Sequence, residues 1–179
     1  MLKRFFSDQS GLSAVEFALI APLLILFFFS TVEIDSALTV DRRVSLAAGT
    51  VADLVAQDDE ITTSELSAIY TAAAAIMAPF DPNDDIELII TSVRLDSNQP
   101  KVVWSRAHNA TAHTTGQTVN VPNTLLSGTE TVIMAEVALD YDAPMAQVIN
   151  QTLRMTDTFY LRPRRGTSVC LTSGGTTVC

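Results

Sequence analysis

Few side chains in this sequence are placed to do chemistry, and their spacing decides against most of it. His108 and His113 stand five positions apart in a polar stretch, with no cysteine or carboxylate at metal-ligand spacing. They read as surface histidines. Asp81, Asn83 and Asp85 repeat the first three ligand positions of a calcium loop. However, Ile86 stands where that loop needs glycine, and Ser92 stands where it needs its final acid. "DPNDD" therefore reads as a helix stop and turn. There is no phosphate-cradling glycine loop and no Gly-x-Ser-x-Gly nucleophile elbow. The expectation is a chain that is not an enzyme, with no metal site and no cofactor.

Three other groups of residues carry more information. Cys170 and Cys179 close the stretch "CLTSGGTTVC", whose paired glycines let the chain reverse. They read as a disulfide that closes a loop of about ten residues, worth roughly 2–3 kcal/mol in the chain-entropy model, in an oxidising compartment. Arg162, Arg164 and Arg165 form the one basic cluster in an acidic exterior. It reads as either a solvated strand end or a docking patch for an acidic partner or lipid headgroups. Third, Glu16 sits inside a nearly continuous apolar run over residues 12–29, where an ionised carboxylate is costly and usually partnered.

That run sets the first structural element. It continues to about residue 32, long enough to cross roughly 30 Å of hydrocarbon as a helix. Lys3 and Arg4 precede it, as basic residues precede secretory signals. A cleaved signal peptide fits poorly, since "FFFSTVEIDSA" offers small residues only at Ser36-Ala37, among charges. A plain signal anchor fits the length but leaves Glu16 unexplained. A third reading accounts for it. Gly11 ends a short polar leader, Leu12 opens the run, Glu16 is the fifth residue counted from Leu12, and aromatic Phe17 follows. This arrangement resembles the type IV prepilin signal, and its Glu-aromatic pair resembles the Flp-type, tight-adherence branch. The resemblance implies cleavage by a prepilin peptidase between Gly11 and Leu12. The new amine of one subunit would then pair with Glu16 of a neighbour and fix axial register.

The rest of the chain bounds the class. The protein has 179 residues, a formal charge of −9 from 11 basic and 20 acidic residues, and 47% apolar composition concentrated at the N-terminus. This predicts one domain with an appendage and excludes a basic nucleic-acid footprint. Val40, Val44, Ala47, Val51, Leu54 and Val55 recur at helical spacing. The membrane helix is therefore expected to continue as an amphipathic helix to about residue 57, some 70 Å in all at 1.5 Å per residue. Pro22 should kink or loosen it. "QDDEITTSE" reads as a polar break, after which Thr63 or Ser64 caps a helix over 64–77. Leu66, Ile69, Tyr70, Ala73 and Ile76 line one face of that helix.

Period-two patterning then predicts strands over 86–96, 101–107, 131–142 and 152–164. "SNQP" is the first hairpin turn, 108–130 is a long polar loop, and "APMAQVINQ" is read as a short helix. Consecutive hairpins favour a small antiparallel sheet with one face on the helices. Trp104 beside Val103 reads as a core anchor rather than a carbohydrate platform.

The expected fold is α+β and pilin-like, divided as 1–11 leader, 12–32 transmembrane helix, 33–57 amphipathic continuation and 58–179 extracytoplasmic domain. "GLSAVEFALIAPLLILFF", "SLAAGTVADLVAQ" and "FYLRPRRG" resemble the TadE-like and TadG-like proteins of tight-adherence pilus assembly. Major pilins of that branch are much shorter, and TadG-like members carry a large inserted domain that this chain lacks. The resemblance therefore implies a TadE-like minor pseudopilin. Its implied partners are the prepilin peptidase, other pilins and pseudopilins, inner-membrane assembly proteins and membrane lipid. The implied location is the bacterial inner membrane, single-pass, either within the pilus or in the machinery beneath it. Lys3 and Arg4 place the N-terminus in the cytoplasm; Arg42 and Arg43 argue the other way. The cysteines place the C-terminal domain in the periplasm. The alternative is a signal-anchored periplasmic binding or adhesion module.

Overall fold

The computed structural model describes residues 11–81, 84–126, 130–143, 145 and 148–179. Lys3, Arg4, Asn83 and Pro144 lie outside the described residues. The chain divides into two compact units, one of residues 1–38 with 142–152 and the other of residues 39–141 with 153–179. Helix α1, Leu12–Ala56, contributes to both and contains Pro22.

In the first unit α1 carries the apolar run. Three of its hydroxyl side chains turn back onto the helix. The hydroxyls of Ser30, Thr31 and Ser36 donate to the carbonyls of Leu26, Phe27 and Val32 at 2.7, 2.9 and 2.9 Å. Such back-bonding satisfies a hydroxyl without water. The described residues of 142–152 are not helical, so the expected short helix is not formed there. The Thr152 hydroxyl instead donates to Asp142 Oδ1 at 2.6 Å and closes the base of a loop.

In the second unit α1 buries Val40, Val44, Ala47, Val51 and Val55, as the periodicity predicts, and also Ala48, Ala52 and Ala56. Leu54 is only half-buried. Arg43 donates to the carbonyls of Ile76 and Ala78 and lies 5.2 Å over the Phe80 ring. Thus a charged residue on α1 holds the C-terminal end of α2, Thr63–Met77. The cap of α2 is Thr62, not Thr63 or Ser64. Its hydroxyl accepts from the Glu65 amide while the Glu65 carboxylate accepts from the Thr62 amide. Of three successive hydroxyl residues, only Thr62 stands three before the glutamate, which the reciprocal capping arrangement requires.

Four strands form an antiparallel sheet in the order β3-β2-β4-β5: β2 is Glu87–Asp96, β3 Gln99–His108, β4 Thr131–Tyr141 and β5 Leu153–Leu161. Only β2–β3 and β4–β5 pair in consecutive order. β4 pairs with β2, and the loop after β3 carries the chain across. The β2–β3 turn is two residues long, with Ser97 and Asn98 both at positive φ, 51° and 63°, as a type I′ hairpin requires. Gln99 and Pro100 of the expected turn belong to β3. A register shift at Ser92/Val93 moves Trp104 onto the face shared with Ser92 and Ile133. There its indole Nε1 donates to the Val169 carbonyl at 2.8 Å, so it is a buried core residue.

The stretch 108–130 is more than a polar loop. Val121 and Leu126 fold back with Val119 and Leu125 onto Val93, Val132 and Met134, a small second core on the other sheet face. Before that, residues 116–119 run along β3. Val102 donates to the Gln117 carbonyl at 2.9 Å, Gly116 donates to the Val102 carbonyl at 2.8 Å, and Val119 donates to the Pro100 carbonyl at 3.1 Å.

A second sheet, in the order β1-β6-β7, comprises β1, Glu60–Thr62, within the supposed polar break, and the tail strands β6, Cys170–Ser173, and β7, Thr176–Val178. β1 lies parallel to β6, and β6 and β7 form a hairpin through Gly174 and Gly175. These glycines have φ of 59° and 82°, left-handed values that glycine adopts without steric cost. The Cys170–Cys179 disulfide closes this hairpin.

The Thr62–Glu65 arrangement can be measured directly. Thr62→Ala should destabilise the protein by about 1 kcal/mol, read from denaturant midpoints in detergent. The two hydrogen bonds from Thr62 hold the Glu65 carboxyl below its ordinary value of 4.5. Its contribution is therefore present above that value and lost as pH falls through the depressed folded-state value. The stability difference between the native protein and Glu65→Gln should shrink across that acid range and be constant near neutrality.

Candidate functional site

Both histidines of the second unit are paired with carboxylates. His113 Nε2 meets Glu136 Oε2 at 2.7 Å and His108 Nε2 meets Asp84 Oδ2 at 3.1 Å. His108 also ends β3 and stacks on Tyr70, whose hydroxyl burial pushes upward in pKa. Asp81 accepts from the Asp85 and Ile86 amides at 2.7 and 3.0 Å. Its carboxylate is a turn cap rather than a free ligand. Among the described residues no three His, Cys, Asp or Glu side chains are grouped to hold a metal ion.

Glu87, Glu136, Arg154, Thr156, Asp157 and Thr158 line a cavity of about 300 Å³ on the sheet. Arg154 is fixed between Glu87 and Asp140, and those carboxylates raise its pKa further. Glu136 is engaged by His113, and the remaining carboxylate of the lining, Asp157, accepts from the Thr158 amide at 2.7 Å.

The arginine cluster is also tied internally. Arg162 donates to the Leu125 carbonyl at 3.1 Å and lies 3.8 Å from Glu130. Arg164 pairs with Asp53, and its amide donates to the Ala56 carbonyl at 2.8 Å. Arg165 lies 3.8 Å from Asp58. These contacts bind the end of β5 to the end of α1 and to the loop that covers the second core.

The N-terminal part of α1 is the opposite case. From Leu12 to Phe28, eleven large apolar side chains are at least half exposed, Phe17 at 67% and Leu19 at 76% among them. Glu16 is exposed with them. The helix is long and apolar enough to cross a membrane, and none of its apolar window is buried within the chain. Gly11 stands at its head with φ outside the positive range, and a Cβ added there would meet no heavy atom within 4 Å. Neither packing nor backbone conformation requires glycine at this position.

Sequence reasoning missed one buried carboxylate that joins the helix to a loop. Glu33, at the far end of the apolar run, is 1% exposed. Its Oε2 accepts from the successive amides of Val148 and Ile149, both at 2.9 Å. A buried carboxylate needs such donors. The available signal was its position directly after the apolar residues, where its neighbours Asp35 and Asp41 made it resemble one more solvated charge.

The geometry defines a class of protein: a small α+β domain on a long helix whose apolar half is unburied, with a carboxylate near the head of that half. Residues 11–53 match the family model described as TadE-like protein, in agreement with the family that these residues resemble. The match begins at Gly11 and ends within α1, before the strands. No curated protein and no solved structure matches the chain.

If Gly11 is not needed by the fold, its replacement should be silent in the folded protein. Gly11→Ala should leave thermal stability within about 0.5 kcal/mol of the native protein, as measured by circular dichroism in detergent micelles.

Proposed function

We propose that this chain is a non-catalytic minor pseudopilin of a tight-adherence, Flp-type pilus assembly system. A prepilin peptidase processes it between Gly11 and Leu12. It is held by one span in the bacterial inner membrane, with its N-terminus cytoplasmic and its disulfide-bearing domain periplasmic. The observation that carries this reading is the unburied apolar helix that begins at Leu12, with Glu16 one turn in and exposed beside Phe17. A family match beginning at Gly11 supports it.

The helix acts by geometry. Apolar side chains around the helix supply surface to lipid or to neighbouring helices, where small van der Waals gains add up. They do not discriminate one axial position from the next. A carboxylate does, because leaving it unpaired at membrane depth is costly. The amine created on Leu12 of an adjacent subunit is the complementary charge, so Glu16 sets register. In this reading the α+β domain has a recognition and spacing role, supported by the engagement of both histidines with carboxylates. Arg162, Arg164 and Arg165 serve this reading chiefly as internal ties, with Arg165 the most exposed of the three.

The test is the N-terminal residue of the protein recovered from membranes, with and without the peptidase. A peptidase-dependent start at Leu12 is expected, and Gly11→Ala should reduce that species. A start at Met1 in both strains would overturn processing and favour a signal-anchored binding or adhesion module. Glu16→Ala should still be cleaved but should enter assemblies less well, scored by co-purification with partner pilins. Undiminished incorporation would remove the register role.

A further inference from the structure

The first unit holds a feature that the assembly reading does not use. Residues 142–152 join β4 to β5, yet they belong to the compact unit formed with the apolar part of α1. The Glu33 carboxylate is one tie that holds them there, through the amides of Val148 and Ile149. Glu33 is 21 positions beyond Leu12, about 31 Å along a helix, which matches the thickness of a bilayer's hydrocarbon core. On the membrane-anchor reading, a span that starts at Leu12 would bring the loop to the depth where hydrocarbon gives way to headgroups.

Its composition suits that depth. Residues 143–152 contain no charged side chain, in a chain carrying 31 charged residues. The loop exposes Met145 at 42% and Val148 at 44%, and α1 exposes Ile34 at 49% and Leu38 at 50% in the same unit. Apolar side chains shown to water on both the helix and its tethered loop continue the exposed surface of the span outward. The uncharged amides of Asn150 and Gln151 are suited to headgroups.

Resting on the membrane-anchor reading, we infer that this loop is a second membrane contact. Met145 and Val148 insert at the headgroup–acyl boundary of the leaflet facing the α+β domain, and Glu33 is the tether that holds them there. The occupant of the surface is the lipid of the same bilayer that α1 crosses. The buried carboxylate follows from this arrangement. At a depth where water is scarce, two successive loop amides need an acceptor and Glu33 needs donors, so the loop and the helix satisfy one another.

Single cysteines placed at Met145 or Val148, with the native disulfide left closed, would carry nitroxide labels in the full chain. The protein would be reconstituted in phosphatidylethanolamine–phosphatidylglycerol vesicles. Collision with oxygen, which partitions into lipid, is compared with collision with a water-soluble nickel chelate. Leu24 serves as the label within the span and Gln99 as the label in water. The expected oxygen-to-nickel ratio at Met145 and Val148 is shifted from that of Gln99 toward that of Leu24. Glu33→Ala should return it toward Gln99, whereas Glu33→Gln, which keeps an acceptor, should preserve it. A water-like ratio at both positions, with Leu24 still lipid-like, overturns the loop contact and leaves the anchor reading standing. A water-like Leu24 overturns both. Low collision with both reagents at Met145 and Val148 means coverage by protein and also overturns the inference. An unchanged ratio in Glu33→Ala, in protein that retains its native circular dichroism, removes Glu33 as the tether.

Discussion

The constraint on which the rest depends is the apolar surface of α1 that the chain does not bury. Eleven large apolar side chains at least half exposed between Leu12 and Phe28 would each gain roughly 1–2 kcal/mol, the exposed share of the value for burying a whole side chain. Their sum rivals or exceeds the roughly 5–15 kcal/mol of net stability typical of a folded protein. Such a surface dictates its own surroundings. Backbone polar groups must be satisfied within the helix, and the hydroxyls of Ser30, Thr31 and Ser36 fold onto their own helix.

Two carboxylates mark the two ends of this surface, and they differ in kind. Glu16 is exposed near the head of the helix, beside Phe17. Glu33 is buried at the other end and is satisfied by the chain's own loop. The family match over residues 11–53 includes both positions.

Legibility in the sequence followed the range of the interactions. Helix α1, the face Val40–Val44–Ala47–Val51–Val55 and the four long strands were readable because their patterns are local. So were the turn at Ser97-Asn98 and the closure of Cys170 on Cys179. Long-range features were not. The pairing of β4 with β2 rather than β3 depends on where the loop over 108–130 carries the chain. The strand Glu60–Thr62 is visible only beside its partner, Cys170–Ser173. The short helix expected around Pro144 was inferred from a proline and a few apolar residues, whereas the described part of that stretch is held by Glu33, over 100 positions away. Thr62 was missed for a different reason: the local rule was sufficient, but three adjacent hydroxyls obscured it.

The run of residues 116–119 along β3 has a consequence for solubility. β3 is an outer strand of the four-stranded sheet, and an outer strand with free amides and carbonyls is a template for another chain's backbone. Gly116, Gln117 and Val119 occupy several of those groups around Pro100 and Val102. The sheet is thus blunted on one side by a stretch whose composition suggests idle linker. Shortening it would remove more than a connection. It would uncover a β edge, and the resulting defect would be sticking of correctly folded molecules to one another rather than unfolding.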